Sequence, residues 1–244
     1  KKIVFYPGCF VNVYAPKIGV DLVEVLKRAG YHVIVPDNFV CCGVPLISNG
    51  FADEAERYAM KNTAELDKWT EEGVPVLAAC PSCSLMLKQE YKELFPNVTT
   101  AGRNARNVVD ACEFIAELIS SGEWKPEFLK PTESLRGIYH EPCHLKAQGI
   151  GKTGLELLRM LPGLDISEAD AGCCGISGSY GFKKDKYQIA MDIGSNLFQT
   201  IEDSGASYGL TECCTCQVQI RHGITNKKER KRLHLVAMLG QRLV

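Results

Sequence analysis

Twelve cysteines are the residues with the clearest chemical potential in this 244-residue chain. Ten of them form two sets of one design: a single cysteine, two adjacent cysteines, then a CxxC pair. The first set is Cys9, Cys41, Cys42, Cys80 and Cys83, and the second is Cys143, Cys173, Cys174, Cys213 and Cys216. Counterparts in the two sets are 132 to 134 residues apart. So regular an offset indicates an internal duplication with one five-cysteine set per copy.

The adjacent cysteines in the middle of each set are poorly placed for a disulfide. On a strand, neighbouring Cβ atoms point to opposite faces, so their sulfurs do not reach the separation of an S–S bond. On a loop, two consecutive thiolates can instead bind two metal atoms of one cluster. Gly43 and Gly175 follow the two pairs. A glycine can adopt a positive φ there, which lets the backbone turn tightly around a bulky group.

Five thiolates per set favour a multi-iron centre over a single zinc ion. Thiolates are soft ligands that select zinc, cuprous copper or iron–sulfur clusters. A structural zinc site takes four ligands, commonly from two short-spaced pairs. Ordinary cubane clusters use four cysteines, often in a tight run that this sequence lacks. The pattern therefore predicts an unusual iron–sulfur cluster in which both adjacent cysteines are ligands. Zinc in one or both sets, and redox thiols without metal, stay open as alternatives.

The overall composition excludes several other classes of protein. The chain is 45% hydrophobic and 23% charged, which is typical of an ordinary globular domain. Its net charge of −1 gives no electrostatic reason to expect a nucleic-acid partner. No apolar run approaches the roughly eighteen residues of a transmembrane helix. A cysteine content this high in such a chain indicates metal or redox chemistry in the cytoplasm rather than a disulfide framework.

The elements that must position the cysteines read as strands alternating with helices. Strands are predicted at 3–6, 31–35 and 74–78, and again at 137–139, 164–166 and 208–210. Helices are predicted over 16–29, 53–72, 81–91, 108–121, 155–161, 185–204, from 213 onward, and over 226–243. A connecting loop is predicted over 97–107. The order predicts an α/β fold of two tandem pseudo-repeats, each a small parallel βαβαβα sheet. The carboxyl ends of parallel strands meet at one edge, where each cysteine set would converge.

The same pattern predicts how the chain is divided. We expect a first domain over 1–122, a proline-containing linker over 123–135 and a second domain over 136–244.

The cysteine pattern, present twice, resembles the CCG-domain iron–sulfur proteins, a family that includes the B subunit of heterodisulfide reductase. Within it, four segments look most like the C subunits of anaerobic glycerol-3-phosphate dehydrogenases. These segments are residues 8–12, 41–51, 157–164 and 173–184. The resemblance extends over nearly the whole chain. It implies that all ten cysteines of the two sets are ligands of two noncubane [4Fe–4S] clusters.

The resemblance also implies a function. Such subunits pass electrons from flavoprotein subunits towards the quinone pool in anaerobic respiration, which implies a cytoplasmic or peripheral position on the inner membrane. They carry an N-terminal ferredoxin-like part that this sequence lacks, so we expect it in another polypeptide or in a missing piece. An alternative is a catalytic subunit that reduces a disulfide at its clusters. A third possibility is a zinc-stabilised scaffold that joins other subunits.

The remaining candidates lie outside the repeat. Cys112 lies in an apolar helical stretch and is expected to be a core residue, whereas Cys214 adjoins two ligands and could be a spare one. His140 and His144 flank Cys143 and could donate to a cluster sulfur, deliver protons or ligate a metal, or simply be polar residues at a pocket rim. The other histidines receive no role.

Two basic segments are candidates for contacts with other molecules. Lys183 and Lys184 follow a glycine-rich loop and could offset cluster charge, bind an acidic partner or simply be solvated. The run 227–232 could dock a partner or a membrane surface, although most such runs are exposed helix faces. The spaced glycines at 175, 178 and 181 lack the strand–turn–helix context of a nucleotide loop.

Overall fold

Two four-stranded parallel sheets form the framework of the protein. The structure is a computed structural model that describes residues 1–130, 134–225 and 231–243. The strand order is β2-β1-β3-β4 in the first sheet and β6-β5-β7-β8 in the second. The strands are β1 (Lys2–Tyr6), β2 (His32–Ile34), β3 (Val76–Ala78), β4 (Val108–Asp110), β5 (Leu135–Tyr139), β6 (Leu164–Glu168), β7 (Tyr208–Thr211) and β8 (Lys231–His234). The predicted α/β fold with two parallel repeats is therefore confirmed.

Helices connect the strands and cover both sheets. In the first copy they are α1 (Gly8–Val13), α2 (Pro16–Arg28), α3 (Val44–Ile47), α4 (Ala52–Thr70), α5 (Pro81–Leu85), α6 (Tyr91–Leu94), α7 (Ala101–Ala105) and α8 (Ala111–Ser120). In the second they are α9 (Cys143–Gln148), α10 (Thr153–Met160), α11 (Tyr187–Asp203), α12 (Cys214–Gly223) and α13 (Leu235–Arg242). A π-helical segment, Met86–Glu90, joins α5 to α6. Short 3-10 turns span Pro126–Phe128 and Tyr180–Phe182.

Local sequence explains why these elements form. The side chains of β1 are apolar and buried from Ile3 to Tyr6, as expected for a central strand covered on both faces. Pro16 occupies the first turn of α2, where its missing N–H costs nothing. The apolar face of α2 is buried against the sheet and the neighbouring helices. Gly30, with φ +81°, turns the chain into β2.

The strand order creates a crevice at the carboxyl edge of each sheet. From β1 the chain crosses to β2 on one side, and β3 then pairs with β1 on the other side. The second sheet repeats this around β5, which pairs with both β6 and β7. Open parallel sheets bind ligands where the direction of winding reverses. The loops after β1, β3, β5 and β7 are therefore at the expected binding positions.

Each sheet has one more strand than predicted. Residues 108–110 form β4, at the point where the sequence predicts the start of a helix. The β-branched Val108 and Val109 pair with β3, while Asp110 caps α8 by accepting from the Cys112 N–H. At the C-terminus, residues 231–234 form β8, within the helix predicted over 226–243. Pairing with β7 outweighs local helix propensity at this point. The loop predicted over 97–107 contains the short helix α7.

The two copies share a hydrophobic core. Helix α13 of the second copy packs on α2 of the first, and α10 packs on α8. One continuous cluster of buried side chains includes Leu22 and Ile115 from the first copy and Leu158 and Leu239 from the second. Trp124, within the predicted linker, is fully buried in the same cluster. The domain boundaries stay a prediction, but Trp124 and Leu129 within 123–135 pack in the core.

Candidate metal centres

Every cysteine of the two sets lies at the carboxyl edge of the sheet in its own copy. In the first copy, Cys9 follows β1 in α1, the adjacent pair follows β2, and Cys80 and Cys83 follow β3. The second copy repeats this arrangement after β5, β6 and β7. Cys80 and Cys213 are the residues that immediately precede helices α5 and α12. Residues far apart in sequence thereby converge, because parallel strands place their ends together.

Within the first set, the sulfurs lie in contact. The Sγ atoms of Cys9 and Cys41 are 3.4 Å apart, and those of Cys42 and Cys83 are 3.5 Å apart. Cys80 interacts with Cys83 through its thiol. Cys42, Cys80 and Cys83 are buried, whereas Cys9 is exposed. The five sulfurs therefore form one group with an open side at Cys9.

The second set forms a matching group. The Sγ atoms of Cys174 and Cys216 are 3.2 Å apart. The thiol of Cys143 interacts with Cys173, and that of Cys213 with Cys216. The backbone N–H of Gly175 donates to the Cys173 sulfur at 3.3 Å. All ten cysteines predicted as ligands are thus gathered into two groups, and their role as ligands stays a prediction.

An asparagine anchors the loop that carries each adjacent pair. The Asn62 amide on α4 donates to the Cys41 carbonyl at 3.2 Å and accepts from the Val40 N–H at 2.9 Å. The Tyr6 hydroxyl donates to the Val40 carbonyl at 2.6 Å. In the second copy, the Asn196 amide on α11 donates to the Ala171 carbonyl at 3.1 Å. The cysteine motifs do not point to either asparagine, although the two are 134 residues apart, like Cys9 and Cys143.

The glycines after the adjacent pairs have the predicted conformation. Gly43 has φ +97° and Gly175 has φ +88°. A Cβ atom at Gly175 would overlap the Ala190 carbonyl oxygen on α11. Gly8, before the first cysteine, has φ +64°, and a Cβ there would lie 2.8 Å from the Cys83 sulfur. Glycine at these positions keeps room for sulfur and for a close approach of the backbone.

In each set, the pKa of one thiol is lowered while the pKa values of its neighbours are raised. Hydrogen bonds from Cys42 and Cys9 lower the pKa of Cys41 to about 3. Hydrogen bonds from Cys143 and Cys174 lower the pKa of Cys173 to about 2. The bond to Cys173 and burial raise the pKa of Cys174 to about 11. Thiolates in one group repel each other, so a metal is needed to hold several of them in the charged form.

The two groups meet at the boundary between the copies. The thiol of Cys80 from the first set interacts with those of Cys213 and Cys214 from the second. Cys214 is fully buried at this contact, so it lies beside both sets, whereas Cys112 is a core residue as expected. The structure thus puts two groups of potential metal ligands next to each other.

Further polar contacts fix the two sets relative to each other. His144 Nδ1 lies 2.6 Å from the hydroxyl of Ser82, which stands between Cys80 and Cys83. The buried His234 imidazole accepts from the Val236 N–H through Nδ1, at 3.2 Å, and donates to the Ala79 carbonyl through Nε2, at 2.9 Å. The sequence predicts His234 on a helix and without a role. It is instead the residue that ties the C-terminal segment to the position before Cys80.

His140 lies at the second set. Its side chain is buried, with 2% exposure, and Nε2 has no hydrogen-bond partner among the residues that the structure describes. An imidazole nitrogen of His140 and the sulfurs of Cys174 and Cys216 all lie within 4.8 Å of one another. Burial lowers the pKa of His140 to about 4, so the imidazole is neutral and carries a free lone pair at neutral pH.

The residues present fit an iron–sulfur centre in each set. The donors are soft thiolates, which suit such clusters. Two sulfurs on one tetrahedral metal lie about 3.8 Å apart, for a metal–sulfur bond of about 2.3 Å. The closest sulfur pairs, at 3.2 to 3.5 Å, are near that spacing. Gly8 leaves space beside the Cys83 sulfur that any side chain would fill. Both sets therefore offer sulfur donors at a spacing close to that of two ligands on one metal atom.

A cavity of about 680 Å³ opens beside the first set. Four cysteines of the first set line it: Cys9, Cys42, Cys80 and Cys83. Much of its wall is apolar and comes from both copies: Phe10, Tyr14 and Val44 from the first, and Phe182 and Val218 from the second. Ser82 and Thr215 line both this cavity and a small one of about 20 Å³ at the second set. The cavity therefore extends along the boundary between the two sets.

The basic segments contribute little to the site. Lys183 and Lys184 are exposed. Most of the run 227–232 lies outside the described residues. Among the helices that the structure describes, none combines the length and apolar character needed to cross a bilayer.

Comparisons with known proteins agree with this arrangement. The chain is 38% identical over 244 residues to the C subunit of anaerobic glycerol-3-phosphate dehydrogenase from Escherichia coli K12, covering 99% of this chain and 59% of that protein. It is 31% identical over 226 residues to the B subunit of fumarate reductase (CoM/CoB) from Methanothermobacter marburgensis, covering 91% of this chain and 42% of that protein. An uncharacterized iron–sulfur protein of Methanocaldococcus jannaschii is 31% identical over 233 residues, covering 95% of this chain and 43% of that protein. The chain thus spans about half the length of these relatives.

Solved structures resemble the chain only distantly. A glutamate racemase from Francisella tularensis has a TM-score of 0.43 and 13% identity, covering 99% of this chain and 78% of that one. That similarity is too low to bear on function.

The match to a family is much stronger. Residues 3–88 and 138–221 both match the cysteine-rich domain named CCG. These two segments contain all ten cysteines of the two sets. The chain therefore belongs to the CCG family of cysteine-rich domains and carries the domain twice.

Proposed function

We propose that this chain is an electron-transfer subunit of an anaerobic respiratory dehydrogenase or reductase complex. Two noncubane [4Fe–4S] clusters, one in each five-cysteine set, would relay electrons between a flavoprotein and the quinone pool. The observation that carries the proposal is the contact between the sets at Cys80 and Cys213. The names of the relatives, which are subunits of oxidoreductases, support the same class of activity.

When bound, the clusters would supply one-electron redox chemistry, and the protein would hold them and set their potentials. The ten cysteines would be the ligands. Backbone N–H groups donate to the sulfurs in both sets, from Gly43 to Cys41 and from Gly175 to Cys173. Such hydrogen bonds stabilise the reduced, more negative state of a cluster and so raise its potential. Burial of the sulfurs limits solvent access and has its own effect on the potential.

The cavity beside the first set supports a quinone as the electron acceptor. Its apolar wall suits a flat ring, and Tyr14 and Phe182 at its rim are 77% and 52% exposed. Ligand pockets of this size are commonly apolar with a few polar groups. Four hydroxyl-bearing residues line the cavity and are available to orient a carbonyl oxygen: Tyr14, Ser82, Ser179 and Thr215. A peripheral position on the membrane would give such a carrier access.

The partners we propose are flavoprotein subunits and a ferredoxin-like iron–sulfur domain or subunit. The relatives are longer than this chain, and two of them are named as enzyme subunits. An electron carrier must receive electrons from another centre. Cys9, Cys143 and Cys173 are exposed, so both sets have a side near the protein surface where a donor could approach.

Iron and sulfide analysis of anaerobically purified protein tests the proposal. We expect about eight iron and eight sulfide per chain if each set holds one four-iron cluster. EPR spectroscopy would follow stepwise reduction, and rapid mixing with a reduced flavoprotein and a quinone would measure electron flow. Stoichiometric zinc without labile sulfide would reject the iron–sulfur centres. If the clusters are intact but pass no electrons to a quinone, only the hypothesis that quinone is the acceptor is rejected.

The cavity also favours a second candidate, a catalytic disulfide reductase. A disulfide substrate needs an open pocket that reaches both centres; the large cavity opens at the first set, and Ser82 and Thr215 in its wall also line the small cavity at the second. In this case the clusters would supply two electrons, one from each, and the two product thiolates would take up protons from solvent. Turnover of a disulfide with a reduced dye tests this function. No turnover by cluster-replete protein would reject it while leaving electron transfer to a quinone in place.

A further inference from the structure

Among the positions where the two cysteine sets differ, one contrasts a paired with an unpaired buried polar group. Residue 6 and residue 140 are counterparts, three residues before Cys9 and Cys143. Tyr6 uses its hydroxyl in a hydrogen bond to the Val40 carbonyl, so its polar atom is satisfied by the protein. His140 is also buried, but within the described ranges 1–130, 134–225 and 231–243 its Nε2 has no hydrogen-bond partner. The second set therefore has an unpaired buried polar group at a position where the first set has a satisfied one.

Leaving such a group without a partner is costly. A buried polar atom that makes no hydrogen bond is unfavourable, and no described residue pairs with His140 Nε2, so this nitrogen is free to bind a partner that the described residues do not supply. Two thiols lie close enough to share such a partner, since an imidazole nitrogen of His140 lies within 4.8 Å of the sulfurs of Cys174 and Cys216. Those two sulfurs are 3.2 Å apart. Three donors grouped in this way can surround one metal atom.

We propose that His140 is a nitrogen ligand of the metal centre in the second set, a sixth protein donor without a counterpart in the first. This inference rests on the proposed function only in that the second set binds metal. Imidazole is a common ligand of both iron and zinc, so the chemistry of the donor suits either. Direct ligation also agrees with the absence of a hydrogen bond between Nε2 and either sulfur, because a metal atom would lie between these groups.

Ligation by His140 makes the two centres chemically different. The first centre would be held by thiolates alone, whereas the second would have a neutral donor as well. In other iron–sulfur clusters, replacing thiolate ligands by imidazole raises the reduction potential. Nitrogen donors therefore have a strong effect on the potential of a cluster. An electron relay with two different centres has a direction, which two identical centres would not provide.

Pulsed EPR with isotope-labelled histidine tests the ligand. The full chain is purified without oxygen, once with natural histidine and once with ¹⁵N-histidine, and its iron and sulfide are measured. We expect a ¹⁴N coupling of the size of a direct bond in the first sample and a ¹⁵N coupling in the second. The His140→Gln variant should lose the coupling. The His144→Gln variant should keep it, because His144 faces Ser82 instead.

The first centre is an internal control for folding, since its EPR signal should persist in His140→Gln when it is recorded in a redox state in which the second centre is diamagnetic. The ligand is rejected if cluster-replete wild-type protein shows no histidine nitrogen coupling, or only the weak coupling of an N–H donor. It is also rejected if His140→Gln keeps the coupling. Should the second set contain zinc, X-ray absorption at the zinc edge would count nitrogen and sulfur neighbours. A nitrogen lost in His140→Gln would then confirm the ligand although the proposed iron–sulfur relay fails, so the two outcomes are distinguishable.

Discussion

At the scale of single residues, glycines determine how closely the chain can wrap around the sulfurs. Gly175 combines a positive φ with a close approach to the backbone of α11, so it needs both the flexibility and the small size of glycine. Gly172 has a similar φ, +82°, but apart from its two chain neighbours no described residue has an atom within 4 Å of the position of its Cβ. The pair separates the cost of backbone strain from the cost of a steric clash.

We expect Gly172→Ala to lower the free energy of unfolding by about 1–2 kcal/mol, the cost of a left-handed conformation. Gly175→Ala should cost about 3–5 kcal/mol, because the clash with the Ala190 carbonyl adds to that strain. Urea unfolding of both variants measures the difference, and iron content shows whether the second set is affected. Equal losses in the two variants would contradict the proposed role of close approach.

A buried carboxyl group near the second set predicts a dependence of stability on pH. Glu212 is 1% exposed and accepts a hydrogen bond from the Tyr139 hydroxyl at 2.7 Å. Burial raises the pKa of Glu212 to about 8, from 4.5 in its ordinary state. Between these values the folded state keeps a proton that the unfolded state has lost. Stability should therefore fall as pH rises from 4.5 to 8, by at most about 1.4 kcal/mol per pH unit from this group.

The Glu212→Gln variant should lose that dependence, because its amide does not ionise and its oxygen can still accept from Tyr139. We expect the variant to gain stability relative to the wild type between about pH 5 and about pH 8. Urea unfolding of metal-free protein at both values, under reducing conditions, measures the change. Parallel pH profiles for the two proteins would show that the carboxyl group titrates normally.

At the scale of elements, the C-terminal segment matters because it joins the two copies. β8 completes the second sheet, and α13 then packs on α2 of the first copy. His234 lies at the junction, where it caps α13 and holds the Ala79 carbonyl. The element therefore stabilises the segment from which Cys80 extends.

Two substitutions of His234 separate these contacts. His234→Ala removes the cap and the hydrogen bond to Ala79, and we expect it to lower the free energy of unfolding by about 2–4 kcal/mol. Asparagine is a good cap but is too short to reach Ala79, so His234→Asn should cost roughly half as much. Urea unfolding and iron content per chain measure both effects. If His234→Asn lowers the free energy of unfolding as much as His234→Ala does, the cap contributes nothing measurable to stability.

At the scale of the whole molecule, the important feature is the contact between the two cysteine sets. Cys80 and Cys213 belong to different copies, yet their thiols interact. The shared core between α2, α8, α10 and α13 holds the copies in this arrangement. Two separate domains on a flexible linker would not keep two centres so close.

We expect the two centres to interact magnetically when both are paramagnetic. EPR spectra of such samples should show splitting or broadening, since dipolar coupling grows steeply as the centres approach. Cys216→Ser, which removes a sulfur 3.2 Å from Cys174, should abolish the broadening and leave a narrow signal from the first centre. A wild-type spectrum that equals the sum of two isolated centres would contradict the predicted proximity.

Local sequence was sufficient for much of the fold. The apolar run that forms β1, Pro16 at the start of α2 and Gly30 at its end all predicted the observed elements. Prediction failed at β4 and β8, because edge strands of three or four residues depend on pairing with β3 and β7 rather than on their own composition.

The alternation of strand and helix patterns determined the parallel α/β fold, while the cysteine spacing and its repetition after about 133 residues determined the duplication and the ten residues that converge. Only the tertiary structure decided that the two groups meet at Cys80 and Cys213, and that Asn62, His140 and His234 face them. The reason is physical. The periodicity of strands and the positions of glycines are local properties of the sequence. The contact between the copies instead arises from the packing of helices that are far apart in sequence.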